Sequence, residues 1–247
     1  DFTIQDQLDL NLSFNDFNID FINSFLPEDF LSEMTGVLKG SLKIDGNWSS
    51  PELNGKINLK DGGITLDEFN TDYTFAGDIV LHPDEILINQ IPIYDNQLVG
   101  GELSAFFVHE NFSSYSYNII GVFPDPFLVM NTDYEMNPLY YGDAYITGFT
   151  TITYDSIYDL EINVDVKTED KTVFSLPLYG AEDVVLKDFI SFKATEIIEE
   201  ELYEVNLDGI NLTLSIDLTE DAAFELVFDD VVGDAIKARG EGHVDLL

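Results

Sequence analysis

The stretch FNTDYTFAGDIVL, residues 69–81, sets Phe69, Thr71, Tyr73, Phe75, Gly77, Ile79 and Leu81 at every second position, with Asn70, Asp72 and Asp78 between them. Strict alternation is the period of a β-strand with one buried face. At about 3.3 Å per residue a continuous strand of that length reaches ~43 Å, about twice an ordinary globular strand. Either the sheet is unusually tall or Gly77, which carries no side chain, bends the strand into two pieces.

The same alternation recurs along the chain. In GVLKGSLKIDG, Leu38, Leu42 and Ile44 face one way while Lys39, Ser41, Lys43 and Asp45 face the other. GKINLKDGGITL repeats the pattern with Ile57 and Leu59, then Ile64 and Leu66 beyond a Gly62-Gly63 turn signal. Ile86 and Ile88, Ile91 and Ile93, Tyr115 to Ile119, Leu160 to Val166, Leu212 to Leu218 and Phe224 to Phe228 alternate likewise. Turn signals fall about every ten residues, which predicts some fourteen short strands. No helical pattern separates them for parallel crossovers, so the expected class is all-β, an antiparallel meander. One departure lies near the start, where Leu8, Leu10, Leu12 and Phe14 alternate but Phe14, Phe17, Phe21 and Phe25 step by three and four. That spacing predicts a short helix ending near Pro27, then a second turn from Pro27 to Met34 stopped by Gly36. Residues 15–35 therefore read as a helical insertion within one domain spanning 1–247. The acidic run TEIIEEELYEVN, 195–206, reads as an exposed loop or edge strand.

Charge narrows the function. The chain carries 10 Lys plus Arg against 48 Asp plus Glu, yet 45% of it is hydrophobic and it contains 19 Phe and 12 Tyr. This composition suits a folded chain with acid outside and aromatics inside. Nucleic acid is excluded as a partner, because its binding rests on basic side chains that neutralise phosphates. Four of the ten basic residues, Lys39, Lys43, Lys56 and Lys60, fall close together and mark the polar side of two neighbouring strands. Cysteine is absent, which leaves no disulfide framework and no thiolate metal site. The chain does not begin with Met and reads as a piece of something longer, with no apolar run approaching the ~18 residues of a membrane span.

Catalytic groups do not converge. His82, His109 and His243 lie far apart, with no pair at helical spacing, and each reads as a surface residue. KDGGITLDEFNTD could offer carboxylates to calcium but lacks the spacing of a helix-loop-helix calcium site. GEG at 240–242 lacks the strand-to-helix context of a dinucleotide fingerprint. No enzyme activity and no cofactor is expected.

What remains is a large area of one-sided apolar sheet. Two such sheets facing each other would make a closed sandwich, the form of a glycan-binding or adhesive domain. A single sheet curled into an open trough would instead hold acyl chains. The inward sets are smooth aliphatics without the polar anchors of a small-molecule pocket, which favours the trough. Its expected lining is Ile57, Leu59, Phe69, Tyr73, Phe75, Ile79, Leu81, Leu160, Ile162, Val164, Val166, Leu212, Leu214, Ile216 and Leu218.

Particular motifs resemble a known family. GVLKGSLKIDGNWSSPELNGKINLKDGGITL looks like the recurring unit of AsmA-like and TamB proteins, a Gly-punctuated strand, a turn, Pro-x-Leu-x-Gly and another Gly-ended strand. The block around Asn137, Tyr141, Gly142, Ala144, Tyr145 and Gly148 is similar to the C-terminal region of TamB proteins from the Bacteroidota. The closing FELVFDDVVGDAIKARGEGHVDLL resembles that family's ending, and the likeness spans about residues 20–247. The resemblance implies a trough of β-sheet, a β-taco, in the periplasm as part of an inner-membrane-anchored protein. It implies phospholipid acyl chains as cargo and, through residues beyond this segment, an outer-membrane barrel partner of the BamA or TamA type. It equally implies a second role, a scaffold that aids assembly of outer-membrane proteins. No catalytic residue carries over.

Overall fold

Alternating apolar and polar residues form strands here because each strand can bury one face while every backbone N–H and C=O pairs with a neighbour. The computed structural model describes residues 7–25, 33–111, 114–155, 160–177, 210–229 and 234–246. Fourteen strands occur among these residues, all in one sheet. They are β1 (Leu10–Asn18), β2 (Glu33–Asn47), β3 (Ser50–Leu66), β4 (Thr71–His82), β5 (Glu85–Tyr94), β6 (Gly100–Glu110), β7 (Ser114–Thr132), β8 (Tyr141–Tyr154), β9 (Leu160–Thr168), β10 (Val173–Pro177), β11 (Ile210–Leu218), β12 (Ala223–Asp229), β13 (Asp234–Arg239) and β14 (Gly242–Leu246). Strands β1 to β8 follow one another as an antiparallel meander. The sheet is open, long and curled, so the trough is what forms. Among the described residues there is no second sheet to make a sandwich.

Beyond β8 the ladder turns a corner. Both β9 and β10 pair with β8, so they are one strand interrupted at residues 169–172. β11 and β12 run beside them with one constant offset, Val166 beside Ile216 before the corner and Val173 beside Ala223 after it. Thr168 and Thr219 lock the two corners together. The Thr219 N–H donates to Thr168 Oγ1 at 3.0 Å, and Thr219 Oγ1 donates to the Thr168 carbonyl at 3.0 Å. These two pairings are parallel within a sheet whose other pairings are antiparallel among the described residues. A parallel return needs a connection of only a dozen or so residues, helical or not. Residues 178–209 supply it; they lie outside the described residues, as does the acidic run 195–206.

The helical insertion expected at 15–35 is corrected. β1 continues to Asn18, and the helical part is a 3-10 turn over Asp20–Phe25. Glu33 and Met34, with Gly36, belong to β2, while Pro27–Ser32 lie outside the described residues. The change of spacing after Phe14 is a β-bulge, with Asp16 at φ 57° as the extra residue. Ile19 is buried, and its N–H donates to the Gly36 carbonyl at 3.1 Å, which ties the 3-10 turn to β2.

Bulges are the device that shapes the sheet. β3 and β5 each carry an extra residue in the left-handed region, Asp61 at φ 50° and Gln90 at φ 48°, and β7 shifts register between Phe123 and Phe127. A bulge bends its strand and sharpens its twist. Extra residues in β1, β3, β5 and β7, alternating with uninterrupted β2, β4, β6 and β8, therefore fold the sheet along an oblique seam. The corners at 169–172 and 219–222 extend that seam. Gly77 is not itself bulged: it sits between the Asp61 and Gln90 bulges, and a Cβ there would collide with the Ile91 side chain.

Candidate apolar groove

The register converts the sequence pattern into continuous rows. Phe14, Gly40, Ile57, Ile79, Ile88, Ala105, Ile119, Ile152, Ile162 and Leu212 are successive cross-strand partners from β1 to β9 and on to β11. No polar side chain interrupts this row. At 4.7–4.9 Å per strand, nine steps span about 43 Å along the sheet. The adjoining row runs Leu12, Leu42, Gly55, Leu81, Ile86, Phe107, Tyr117 and Tyr154. A third runs Ile91, Leu103, Gly121, Thr150, Val164 and Leu214, and Thr150 turns its hydroxyl to the Asn163 carbonyl at 3.2 Å.

All but one of the expected lining residues therefore share one face. Ile57, Leu59, Tyr73, Phe75, Ile79 and Leu81 lie on β3 and β4; Leu160, Ile162, Val164 and Val166 on β9; Leu212, Leu214, Ile216 and Leu218 on β11. Phe69 is the exception. It belongs to a 3-10 turn over Asp67–Phe69, followed by Asn70 at φ 51°, so the alternation breaks before Thr71 and Phe69 is not part of the wall. The 13-residue strand is correspondingly the 12-residue β4, Thr71–His82.

Burial divides the groove into a packed part and an open part. On one side of the seam Leu42, Ile57 and Leu81 form a buried cluster with Phe14, Leu38, Ile44, Leu53, Ile79 and Ile86 around it. Across the seam Tyr73, Ile93 and Phe127 form another, to which Phe75, Leu103 and Phe123 add. Here the walls meet. The Tyr73 ring stacks on Phe127 at 5.3 Å between centroids, although β4 and β7 are three positions apart in the sheet. Asp95, 2% exposed, ties the β5–β6 turn to β7: one carboxylate oxygen accepts the N–H groups of Gln97 and Val99 at 2.9 Å, and the other accepts Leu128 N–H at 3.0 Å. The hairpin tips add Asn70 Nδ2 to the Asn131 carbonyl at 2.6 Å and, at the opposite lip, Ser50 Oγ to Asn111 Oδ1 at 2.7 Å. Sequence reasoning did not find Asp95 or Phe127; nothing in a one-residue alternation marks which turn carboxylate will be enclosed.

The second half of the groove is open. β9 is hydrogen-bonded on both sides, yet Ile162 and Val164 are only half-buried, as are Leu212, Leu214, Ile216 and Leu218 on β11. Interior strands of a closed fold bury such aliphatics, so among the described residues no second layer covers this wall. Apolar side chains also reach solvent at the sheet's edges, with Leu10 and Leu12 on β1 and Leu226 and Ile236 on β12 and β13.

The opposite face is mixed: it carries the strand lysines and also exposed Phe106, Ile120, Val122 and Phe149 on β6, β7 and β8. Lys39, Lys43, Lys56 and Lys60 do mark the polar side of the adjacent strands β2 and β3, and Lys56 pairs with Asp78 at 2.7 Å. His243 stands on β14 between Asp217 at 2.7 Å and Asp245 at 2.8 Å, which raise its pKa. With a carboxylate on each ring nitrogen it is poorly placed to activate Ser215, 3.5 Å away. His109 is buried rather than at the surface, a correction; its N–H donates to the Asp84 carbonyl at 3.0 Å. Among the described residues no cluster of three His, Asp or Glu is placed to hold a metal ion, and no helix is long and apolar enough to cross a membrane.

The geometry defines an open β-trough with a continuous apolar inner face and an outer face of charged residues interrupted by exposed apolar side chains on β6–β8. Comparison with family models, curated proteins and solved structures yields no match for this chain.

Proposed function

We propose that the trough is a non-enzymatic conduit module of the cell envelope that shields phospholipid acyl chains in transit between two membranes. One observation carries the reading: an apolar row crosses ten paired strands and is only partly buried over β9 and β11. Each CH₂ moved from water to an apolar wall gains about 0.8 kcal/mol, so a chain of methylenes follows a continuous dry lining. The motif resemblance to TamB proteins supports the same reading. On that resemblance we read the chain as a periplasmic segment of an inner-membrane-anchored protein, with an outer-membrane barrel of the BamA or TamA type as the proposed partner for residues beyond the segment.

A second reading, a scaffold for outer-membrane protein assembly, draws on the sheet edges. All six residues of β13 are exposed, and an edge strand offers backbone groups for strand addition. Mass spectrometry of lipid extracted from the purified chain separates the two. Phospholipid at near one per chain supports the conduit; a lipid-free chain that captures extended peptide supports the scaffold.

A further inference from the structure

We infer that the stacked phenols of Tyr115, Tyr154 and Tyr117 form the subsite that seats the ester end of the cargo lipid, with the hydroxyls of Tyr117 and Tyr154 donating to ester carbonyls at the head of the acyl chains. This rests on the acyl-chain reading and adds the place in the groove where the lipid's polar end lies. Tyr117 on β7 and Tyr154 on β8 are cross-strand partners that end an apolar row, beside Phe107 of β6. The Tyr154 ring stacks between two others, its centroid 5.4 Å from that of Tyr115 and 5.4 Å from that of Tyr117, and Phe107 packs on Tyr117 at 5.6 Å. Tyr115 is 53% exposed, whereas Tyr117, Tyr154 and Phe107 are half-buried. Over three rings the wall passes from dry groove to water.

Tyrosine suits such a border, because its ring is apolar and its hydroxyl is not. The same division places it at membrane–water interfaces. Burial, and then the phenols of Tyr115 and Tyr154, raise the Tyr117 pKa, so the three hydroxyls gather at one spot and Tyr117 stays a neutral donor. Along the three apolar rows the other hydroxyl, that of Thr150, is spent on the Asn163 carbonyl. Those of Tyr117 and Tyr154 donate to no protein group among the described residues. A lipid phosphate is ordinarily held by Lys or Arg, and neither stands in these rows. A neutral phenol matches a neutral ester carbonyl, which leaves the phosphate beyond the lip in water. Inward from Tyr117, β7 presents Ile119, Gly121 and Phe123, and Phe123 packs on Phe127 at the seam with ring centroids 4.5 Å apart. This dry stretch, about 20 Å long at ~3.3 Å per residue, takes the tails.

The test incubates the purified chain with vesicles of diester and diether phosphatidylcholine in equal amounts, with matched chains, and counts bound lipid by native mass spectrometry. The diether keeps the headgroup, phosphate and tails but lacks the carbonyls. Diester should exceed diether about fivefold, the worth of one net neutral hydrogen bond. Tyr117→Phe with Tyr154→Phe keeps the rings and removes the donors, and should bring the two lipids to equal loading. Equal loading by the unaltered chain, or a diester preference that survives in the variant, overturns the inference and leaves the conduit standing. Loading of neither lipid overturns both.

Discussion

The hydroxyl of Tyr73 on β4 donates to the backbone carbonyl of Leu128 on β7 at 3.1 Å, across the width of the trough. Both residues are buried, so the bond closes the groove at this point instead of leaving it open as over β9. Burial, reinforced by the Asp95 carboxylate, pushes the Tyr73 phenol up to about 12. An unfolded tyrosine ionises near 10. A raised folded pKa contributes stability that is complete below about pH 10 and is lost as pH rises towards 12, by roughly 3 kcal/mol in all. Tyr73→Phe should lower stability at pH 7 by about 1 kcal/mol and flatten the alkaline loss between pH 10 and 12. Urea denaturation across that range checks both.

Asp95 should matter more than Tyr73. Its carboxylate answers three backbone N–H groups in an enclosed site, and bonds to a charged acceptor are the stronger kind. Asp95→Ala leaves those donors without an acceptor and should cost about 3–5 kcal/mol. Asp95→Asn keeps one oxygen and turns an amide N–H₂ towards a donor, so an intermediate loss is expected. Chemical denaturation of the two variants tests that order.

Backbone strain at the seam predicts substitutions of opposite sign. Gln90 is exposed and held at φ 48°, where an L-residue is disfavoured by about 1–2 kcal/mol. Gln90→Gly should therefore stabilise the chain by up to ~1 kcal/mol, less whatever the freer unfolded chain returns. Gly148 is the reverse case. It sits on β8 at φ 138°, and a Cβ would collide with the Asp165 carbonyl of β9, so Gly148→Ala should destabilise and loosen the β8–β9 ladder. Thermal melts give the signs, and amide exchange on β9 reports the ladder.

Much of this was legible in the alternation. The wall residues of β3, β4, β9 and β11 fall where a period of two puts them, because a one-residue slip would expose them all. The seam was written there too, in a form easily taken for something else. The apolar phase flips from Phe14 to Phe17, from Leu59 to Ile64 and from Ile88 to Ile91, and each flip marks a bulge within one strand rather than a turn or a helix. A local pattern cannot distinguish these, since Asp-Gly-Gly at 61–63 serves a bulge as well as a hairpin. The parallel corners and the Tyr73–Phe127 closure depend on pairings between residues some fifty apart, which no local period encodes.

Packed and open parts of the wall should respond differently to charge. Ile57 is 7% exposed within a buried cluster, so Ile57→Asp should cost about 3–5 kcal/mol and unfold a marginal chain. Ile162 is half-buried with nothing described above it, and Ile162→Asp should cost only ~1–2 kcal/mol while abolishing lipid loading. Far-UV circular dichroism beside a lipid-loading assay separates lost cargo from lost fold.

The most direct measurement places a photoreactive residue at position 162, on the inner face of β9, and another at position 165, exposed on its outer face. The chain is irradiated in cells and the adducts are read by mass spectrometry. A conduit predicts phospholipid adducts at 162 and none at 165. An absence of phospholipid at 162, or equal yields at the two positions, would contradict it.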